Sequence, residues 1–283
     1  MRRLGPATIV MGDALAGMRE FPEGSFDLAI ADPPYGASTK ATWQLPTNHG
    51  LAGFGGAWQL ANHEWDRLGG HEGFAFAMQW LSELRRLVRP TGSIWIHATY
   101  HNAGFINVAC QALGLEIINE VVWFKRNAFP NLACRRLTAS HETLLWVHTG
   151  GKKRRYRFNY EEVKAARFED DPSKQAGRQL RTVWDIPNNK AADELRFGKH
   201  PTQKPVRLSE RLFMISGAPG GSVLIPFLGS GTEAVAALRW DMKPYGFEVD
   251  EKSFALAEKR IAAELDRIRQ SPSLFGREHA SRL

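Results

Sequence analysis

Val223-Leu224-Ile225-Pro226-Phe227-Leu228-Gly229-Ser230-Gly231-Thr232 decides the fold. An apolar run, a glycine turn and a hydroxyl residue ahead of Ala234, Val235 and Leu238 predict a strand, a tight turn and a helix start. Gly229 and Gly231 allow the backbone to turn sharply and approach a ligand closely. Thr232 is placed to cap the helix. The third glycine of the dinucleotide spacing is absent, which disfavours a nicotinamide cofactor. Glu248 follows 17 residues after Gly231, at the tip of the apolar run Tyr245-Gly246-Phe247. An acid at the end of the next strand can hold a ribose diol. The pair predicts a nucleoside-bearing ligand without a pyrophosphate.

A second strand with a polar tip lies near the start of the chain. Phe26-Asp27-Leu28-Ala29-Ile30-Ala31 reads as a buried strand, and Asp32-Pro33-Pro34-Tyr35 follows it. Open α/β sheets bind ligands at such strand ends. The prolines carry no N–H and keep the backbone extended. The Asp32 carboxylate and the Pro33 carbonyl can then act as two acceptors beside the flat face of Tyr35. That set suits an exocyclic amino group on a planar base.

Between and around these stretches, strands alternate with helical spacing. Helices are predicted over 13–21, 72–88, 102–113, 205–216, 232–240 and 251–270, and strands over 8–11, 93–97, 116–125, 143–148, 222–227 and 245–249. This alternation predicts an α/β protein with a mostly parallel sheet covered on both faces. Residues 37–66 lack periodicity and form a long loop, a length that usually serves a function. Residues 149–199 break into short charged and aromatic pieces and look inserted.

The chain has 283 residues, 43% of them hydrophobic, a net charge of +7 and a pI near 9.5. Basic charge favours a polyanionic partner. Residues 151–200 hold 13 Lys and Arg against 8 Asp and Glu, most of the excess. No apolar run is long enough for a membrane span, no signal peptide stands out at Met1-Arg2-Arg3-Leu4, and the expected compartment is the cytoplasm. Cys110 and Cys134 are too few for a disulfide framework or a cysteine metal site. His97, His101 and His141 lack close ligand spacing, so no metal is expected.

In joint order these residues resemble the amino-methylating DNA methyltransferases, which modify adenine N6 or cytosine N4. Asp32-Pro33-Pro34-Tyr35 is similar to their catalytic motif, and Pro226 to Thr232 to their S-adenosylmethionine loop. Gly12-Asp13, Trp123-Phe124-Lys125-Arg126, Ser140-His141-Glu142 and His200-Pro201-Thr202-Gln203-Lys204-Pro205 have counterparts too. The catalytic motif precedes the cofactor motif, which resembles the beta arrangement. The resemblance implies a Rossmann-like methyltransferase fold with a catalytic half over 1–148, a target-recognition segment over 149–199, a cofactor-binding half over 200–270 and a flexible tail over 271–283. It implies Asp32, Pro33, Pro34 and Tyr35 as catalytic residues. It implies Asp13, Lys204, Phe227, Gly229, Ser230, Gly231, Thr232 and Glu248 as the S-adenosylmethionine site. Lys125, Arg126, Arg135, Arg136, Lys152, Lys153, Arg154 and Arg155 are the candidate DNA contacts, with Arg157 beside them.

The implied activity is methyl transfer to adenine N6 in a flipped-out base of duplex DNA. Cytosine N4 is the alternative; its enzymes more often carry Ser where this chain has Asp32. A silent DNA-binding protein of the same fold is the distant alternative, and RNA or protein-glutamine methylation lies further off. A cognate restriction endonuclease and a homodimer are implied as partners. One departure stands out. The family usually has Asp-Pro-Phe before the glycine loop, and this chain has Ile225-Pro226-Phe227, so a polar anchor near the methionine end of the cofactor is missing. Neither cysteine follows a proline, as the nucleophile of carbon-5 cytosine methylation typically does, and Cys110 reads as a buried structural residue.

Overall fold

A computed structural model of the chain describes residues 1–35, 70–128, 130, 135–151, 155–168, 171–188 and 191–270. The long loop expected over 37–66, the tail over 271–283, Cys134 and the candidate DNA contacts Lys152, Lys153 and Arg154 lie outside the described residues.

One sheet organises the chain. Its strands are β1 (Arg2–Leu4), β2 (Ala7–Met11), β3 (Phe26–Ala31), β4 (Val88–Ala98), β5 (Glu116–Phe124), β6 (His141–His148), β7 (Val183–Asp185), β8 (Ser222–Ile225) and β9 (Lys243–Glu248), in the order β1-β2-β9-β8-β3-β4-β6-β5-β7. The pairs from β2 through β9, β8 and β3 to β4 are parallel, as is β5 with β7. β1 with β2, β4 with β6, and β6 with β5 are antiparallel. The expected mostly parallel α/β sheet is therefore observed, with an antiparallel stretch on the β4 side.

The sheet is buried on both faces because its strands are apolar on both. Leu28 and Ile30 of β3 face one core cluster, with Trp95, Trp146, Val223 and Ile225. This layer is closed by α4 (Tyr160–Ala165), α6 (Val206–Ser216), α7 (Thr232–Arg239) and α8 (Glu251–Gln270). Ala29 and Ala31 face the other cluster, with Ile94, Ile96 and Leu224. There α1 (Ala14–Arg19), α2 (Gly70–Leu87) and α3 (Ala103–Ala112) cover the sheet. Alternation along one strand thus feeds two layers, as the pleat requires.

The pairing of β3 with β8 positions the site. Leu28 lies opposite Val223 and Ala29 opposite Leu224. From β3 the sheet proceeds to β4 on one side, and from β8 to β9 on the other. Their carboxyl ends therefore border the crevice where the order of connections reverses. The pair is pinned at its opposite end: Asp27 Oδ2 accepts from Ser222 N at 2.8 Å and from its hydroxyl at 3.0 Å.

Much of the segment over 149–199 is packed into the core. The Asn159 side-chain amide donates to the Met214 and Gly217 carbonyls, both at 3.0 Å. Val163, Ala166, Phe168 and Trp184 are buried. The Arg211 guanidinium of α6 stacks over the Phe168 ring at 3.7 Å and pairs with the fully buried Asp171. Removing either partner of such a buried pair typically costs about 3–5 kcal/mol. Charge along this segment disguised its apolar anchors, which are spaced too irregularly to show a period.

Candidate active site

The glycine turn joins β8 to α7. Gly229 and Gly231 adopt φ of 51° and 77°, a region open to glycine at little cost. A Cβ at Gly231 would also press on Ala257 of α8 at 3.0 Å. Gly231 with its left-handed backbone caps α7, and no side chain caps it. The expectation that Thr232 caps the helix is therefore corrected: Thr232 is already helical, and its hydroxyl bonds instead to the Lys204 carbonyl at 3.3 Å. Arg260 reaches from α8 and donates to the Ser230 carbonyl at 2.7 Å, holding the turn from behind.

Glu248 ends β9 beside this turn. Its carboxylate accepts from Gly229 N at 2.7 Å, Val249 N at 2.9 Å and Asp250 N at 2.8 Å. Burial pushes its pKa up despite these donors. Asp13 Oδ1 accepts from Ala16 N at 2.8 Å and caps α1, and Gly12 N donates to the Glu248 carbonyl at 2.8 Å. Two strand ends and one helix start are thereby tied together.

Asp32 lies at the tip of β3. Lys204 Nζ bonds Asp32 Oδ2 at 2.7 Å and Tyr35 Oη at 2.6 Å, and Tyr35 Oη donates to Asp32 Oδ1. Glu142 Oε2 is 3.9 Å from the same ammonium, and Glu142 Oε1 pairs with Lys125 at 2.9 Å. Burial alone would raise the Asp32 pKa, but the Lys204 charge and the bonds from Lys204 and Tyr35 overcome it and hold the carboxyl below its usual range. Lys204 is driven up by the same carboxylates against its burial. Both sides of the pair agree: Asp32 is an anion. His97 is fully buried behind it, and burial pushes its pKa down to about 4.

The turn, the β9 tip, the start of α1 and the Asp32–Lys204 pair line one cavity of about 240 Å³, whereas Pro33, Tyr35 and Gly231 are buried and are not part of its lining. Asp13, Lys204, Phe227, Gly229, Ser230, Thr232 and Glu248 of the expected cofactor set border it, together with Asp32 and Pro34. Residues 32 and 229, far apart in sequence, meet because β3 pairs with β8. Phe227 is fixed by an edge contact with Trp80, ring centres 5.8 Å apart.

A family model described as DNA methylase, of the N6/N4 methyltransferases, matches residues 26–259. The chain belongs to this family. Type II methyltransferase M2.DpnII of Streptococcus pneumoniae is 32% identical over 258 residues, covering 90% of this chain and 90% of its own length. Among solved structures, the M1.HpyAVI–SAM complex matches with a TM-score of 0.61 at 22% identity, covering 90% of this chain and 98% of that one. The cytosine-N4-specific PvuII DNA methyltransferase matches with a TM-score of 0.68 at 18% identity, covering 94% and 96%.

In this methylase the candidate DNA contacts divide. Arg135, Arg136 and Arg155 are exposed, and Arg136 donates to Tyr100 Oη at 3.1 Å. Arg126 is exposed too but bonded to the Asp185 carboxylate at 2.7 Å and its carbonyl at 2.9 Å. Lys125 turns inward to Glu142, its side chain 13% exposed. The antiparallel register of β5 and β6 sets Phe124 opposite His141 and so brings Glu142 to Lys125, which local spacing along either strand does not reveal. Tyr35, expected to present a stacking face, is buried with its hydroxyl committed to Asp32 and Lys204. Cys110 is fully buried, and burial raises its thiol to about 12, far from a reactive thiolate. Ile225 is buried in the core of β8.

Sequence reasoning missed Glu233, which lines the cavity at 4% exposure, as well as His200, Thr202 and Phe76 in the same wall. The signal for Glu233 was available: a charged residue two positions after Gly231, followed by the apolar run Ala234-Val235-Ala236-Ala237-Leu238.

Proposed function

We propose that the methylase transfers a methyl group from S-adenosylmethionine to the N6 amino group of adenine, in a base turned out of duplex DNA. The observation that carries this reading is the ionised Asp32 carboxylate in the same cavity as the glycine turn and Glu248. The residues fit the cofactor. Glu248 offers a carboxylate to the ribose hydroxyls, Gly229 and Ser230 let backbone approach it, and Phe227 supplies an apolar face. The acidic lining suits a sulfonium. When bound, S-adenosylmethionine supplies an electrophilic methyl group. The related M1.HpyAVI was solved as a SAM complex.

The chain's own residues do the remaining work. An adenine amino nitrogen is a weak nucleophile because its lone pair is delocalised into the ring. Hydrogen bonds from its two hydrogens to Asp32 and the Pro33 carbonyl favour a pyramidal nitrogen with an available lone pair. Asp32, held ionised by Lys204, acts by charge and position; as the nitrogen gains the methyl group the carbon–sulfur bond breaks, its electron pair stays on sulfur, and the nitrogen releases one proton to solvent. The incoming amino group takes the place of the Tyr35 hydroxyl on Oδ1, while Lys204 keeps Oδ2. Release of that hydroxyl frees the Tyr35 ring to stack on the extruded base.

The exposed Arg135, Arg136 and Arg155, with the segment over 149–199, supply the phosphate and base contacts. The Type II designation of M2.DpnII supports a role as the modification partner of a restriction endonuclease. A homodimer is the assembly implied by the beta arrangement. Mass spectrometry of nucleosides from DNA treated with the protein and methyl-labelled cofactor tests the reaction. Labelled N6-methyl-2′-deoxyadenosine is expected. Labelled N4-methyl-2′-deoxycytidine overturns the choice of base, and no label in either overturns the activity.

A further inference from the structure

We infer that Glu233 is a cofactor-binding residue: its carboxylate receives the cationic amino-acid end of S-adenosylmethionine. The inference rests on the proposed methyl-transfer reading and deepens it. Glu233 sits in the first turn of α7, is 4% exposed, and lines the cavity. A buried carboxylate is costly unless paired or well hydrogen-bonded. Its carboxylate takes a hydrogen bond from its own backbone N–H in the first turn of α7 and a long one, 3.3 Å to Oε1, from the Ser209 hydroxyl of α6. The nearby Arg260 is spent on the Ser230 carbonyl at 2.7 Å and on the hydroxyls of Ser230 at 2.8 Å and Thr232 at 3.0 Å. Glu233 thus has hydrogen-bond donors but no ion-pair partner among the described residues, and it faces a cavity.

Its position selects which end of the ligand it meets. Glu233 feels the charges of Asp32 and Lys204, whereas Glu248 is held by the backbone of Gly229, Val249 and Asp250. Glu233 thus belongs to the catalytic end, where the sulfonium must face Asp32, and Glu248 to the far end. Asp13, Asp32, Glu233 and Glu248 line the cavity, and Lys204, which shares it, is paired with Asp32. In a chain of net charge +7, this local excess of acid selects a cation. The α-ammonium next to the sulfonium is the group that reaches a carboxylate in that wall. Ile225, buried in β8, offers no polar anchor there, and Glu233 supplies one from the following helix.

Ionisation of Glu233 accompanies binding. Burial and the Asp32 charge raise its pKa to about 7, with its own backbone N–H, Lys204 and Ser209 opposing. Tyr35, four residues past the end of β3, and Arg260 from α8 also face it electrostatically, and His200 shares the cavity wall. The carboxylate binds the cation and the protonated acid does not. Affinity should therefore fall as pH drops through this range.

Calorimetric titration of the full chain tests the assignment with two probes, S-adenosylmethionine and 5′-methylthioadenosine, a neutral thioether that keeps the nucleoside and lacks both the amino-acid end and the sulfonium charge. S-adenosylhomocysteine, which keeps the α-ammonium on a neutral sulfur, is the control and should follow S-adenosylmethionine; its failure to do so overturns the assignment to the α-ammonium. Glu233→Gln removes the charge and keeps the shape. The variant is expected to weaken S-adenosylmethionine roughly 10–100-fold and leave 5′-methylthioadenosine within about twofold. Wild-type affinity for S-adenosylmethionine should fall about tenfold from about pH 7.5 to about pH 6, and the variant should lose most of that dependence. At about pH 8 the free variant should melt no lower than wild type, because a buried charge has been removed. Equal affinity of wild type and variant for S-adenosylmethionine overturns the inference and leaves the function standing. An equal loss for both probes makes Glu233 structural and also overturns it. Failure of wild type to bind either probe overturns the cofactor reading, and the inference with it.

Discussion

Replacing Lys204 with methionine removes the cation on which the ionised state of Asp32 depends. The pair is close, 2.7 Å from Nζ to Oδ2, and shielded, with side-chain exposures of 4% and 16%. Methionine keeps most of the volume and leaves Asp32 in the same place without its partner. Stranding a charge in this way typically costs about 3–5 kcal/mol. The loss carries a pH signature. In wild type the Asp32 pKa is lowered, so its contribution to stability is present above the unfolded value and is lost only as pH falls through the lower folded value. In the variant, burial, the largest influence, is opposed only by His97 and the Tyr35 hydroxyl, and the folded pKa rises above the unfolded one. The variant is then penalised above that raised pKa and relieved below it. Glu233, whose charge Lys204 also favours, shifts in the same direction. Urea unfolding of both proteins at about pH 8 and about pH 5.5 measures the difference. We expect the gap of about 3–5 kcal/mol at the higher pH to shrink by about 1 kcal/mol or more at the lower, at about 1.4 kcal/mol per pKa unit. A gap under about 1 kcal/mol, or one that ignores pH, would refute the argument that Lys204 sets the charge of Asp32.

Other expectations follow from the same geometry. Asp32→Ala should lower the rate of methyl transfer by about 10²–10³ or more and leave S-adenosylmethionine affinity nearly intact; single-turnover assays giving near-normal rates would discard the mechanism. Glu248→Ala should weaken the cofactor about tenfold or more and also destabilise the free protein by about 1–3 kcal/mol, because three backbone N–H groups lose their acceptor. Lowered stability with unchanged affinity would confine Glu248 to holding the turn. Neutralising Arg135, Arg136 and Arg155 together should weaken every duplex sequence alike and flatten the log–log salt dependence by about 0.9 for each phosphate no longer neutralised. A loss restricted to one sequence would instead place them on base edges.

The helices and strands of the two halves were legible because each carries a period that burial imposes locally. β3 and β8 are apolar on both faces, as a strand covered on both sides must be, and their polar tips were visible as Asp32 and the glycine turn. β1 was not visible: Arg2, Arg3 and Leu4 are too few to show a period, and pairing with β2 alone makes them a strand. The segment over 149–199 read as polar and irregular, yet Phe168, Trp184 and the Asp171–Arg211 pair bind it to α6 and β5. Such packing leaves no regular spacing behind.

Sequence by itself determined the α/β class, the order of the two motifs, and the residue types at the site: an acid after one strand, glycines after another, and a second acid at the tip of the strand beside it. These are properties of short stretches, set by backbone freedom and by which side chains tolerate burial. Tertiary structure decided the partnerships. Lys204, expected with the cofactor, is bonded to Asp32. Lys125, expected on DNA, is turned to Glu142. Tyr35 is locked against the carboxylate it was to assist, and Glu233 enters the cavity wall. The physical reason is that charge interactions depend on distance and burial in space. Those quantities exist only after β3 and β8 have paired and α6, α7 and α8 have closed over them.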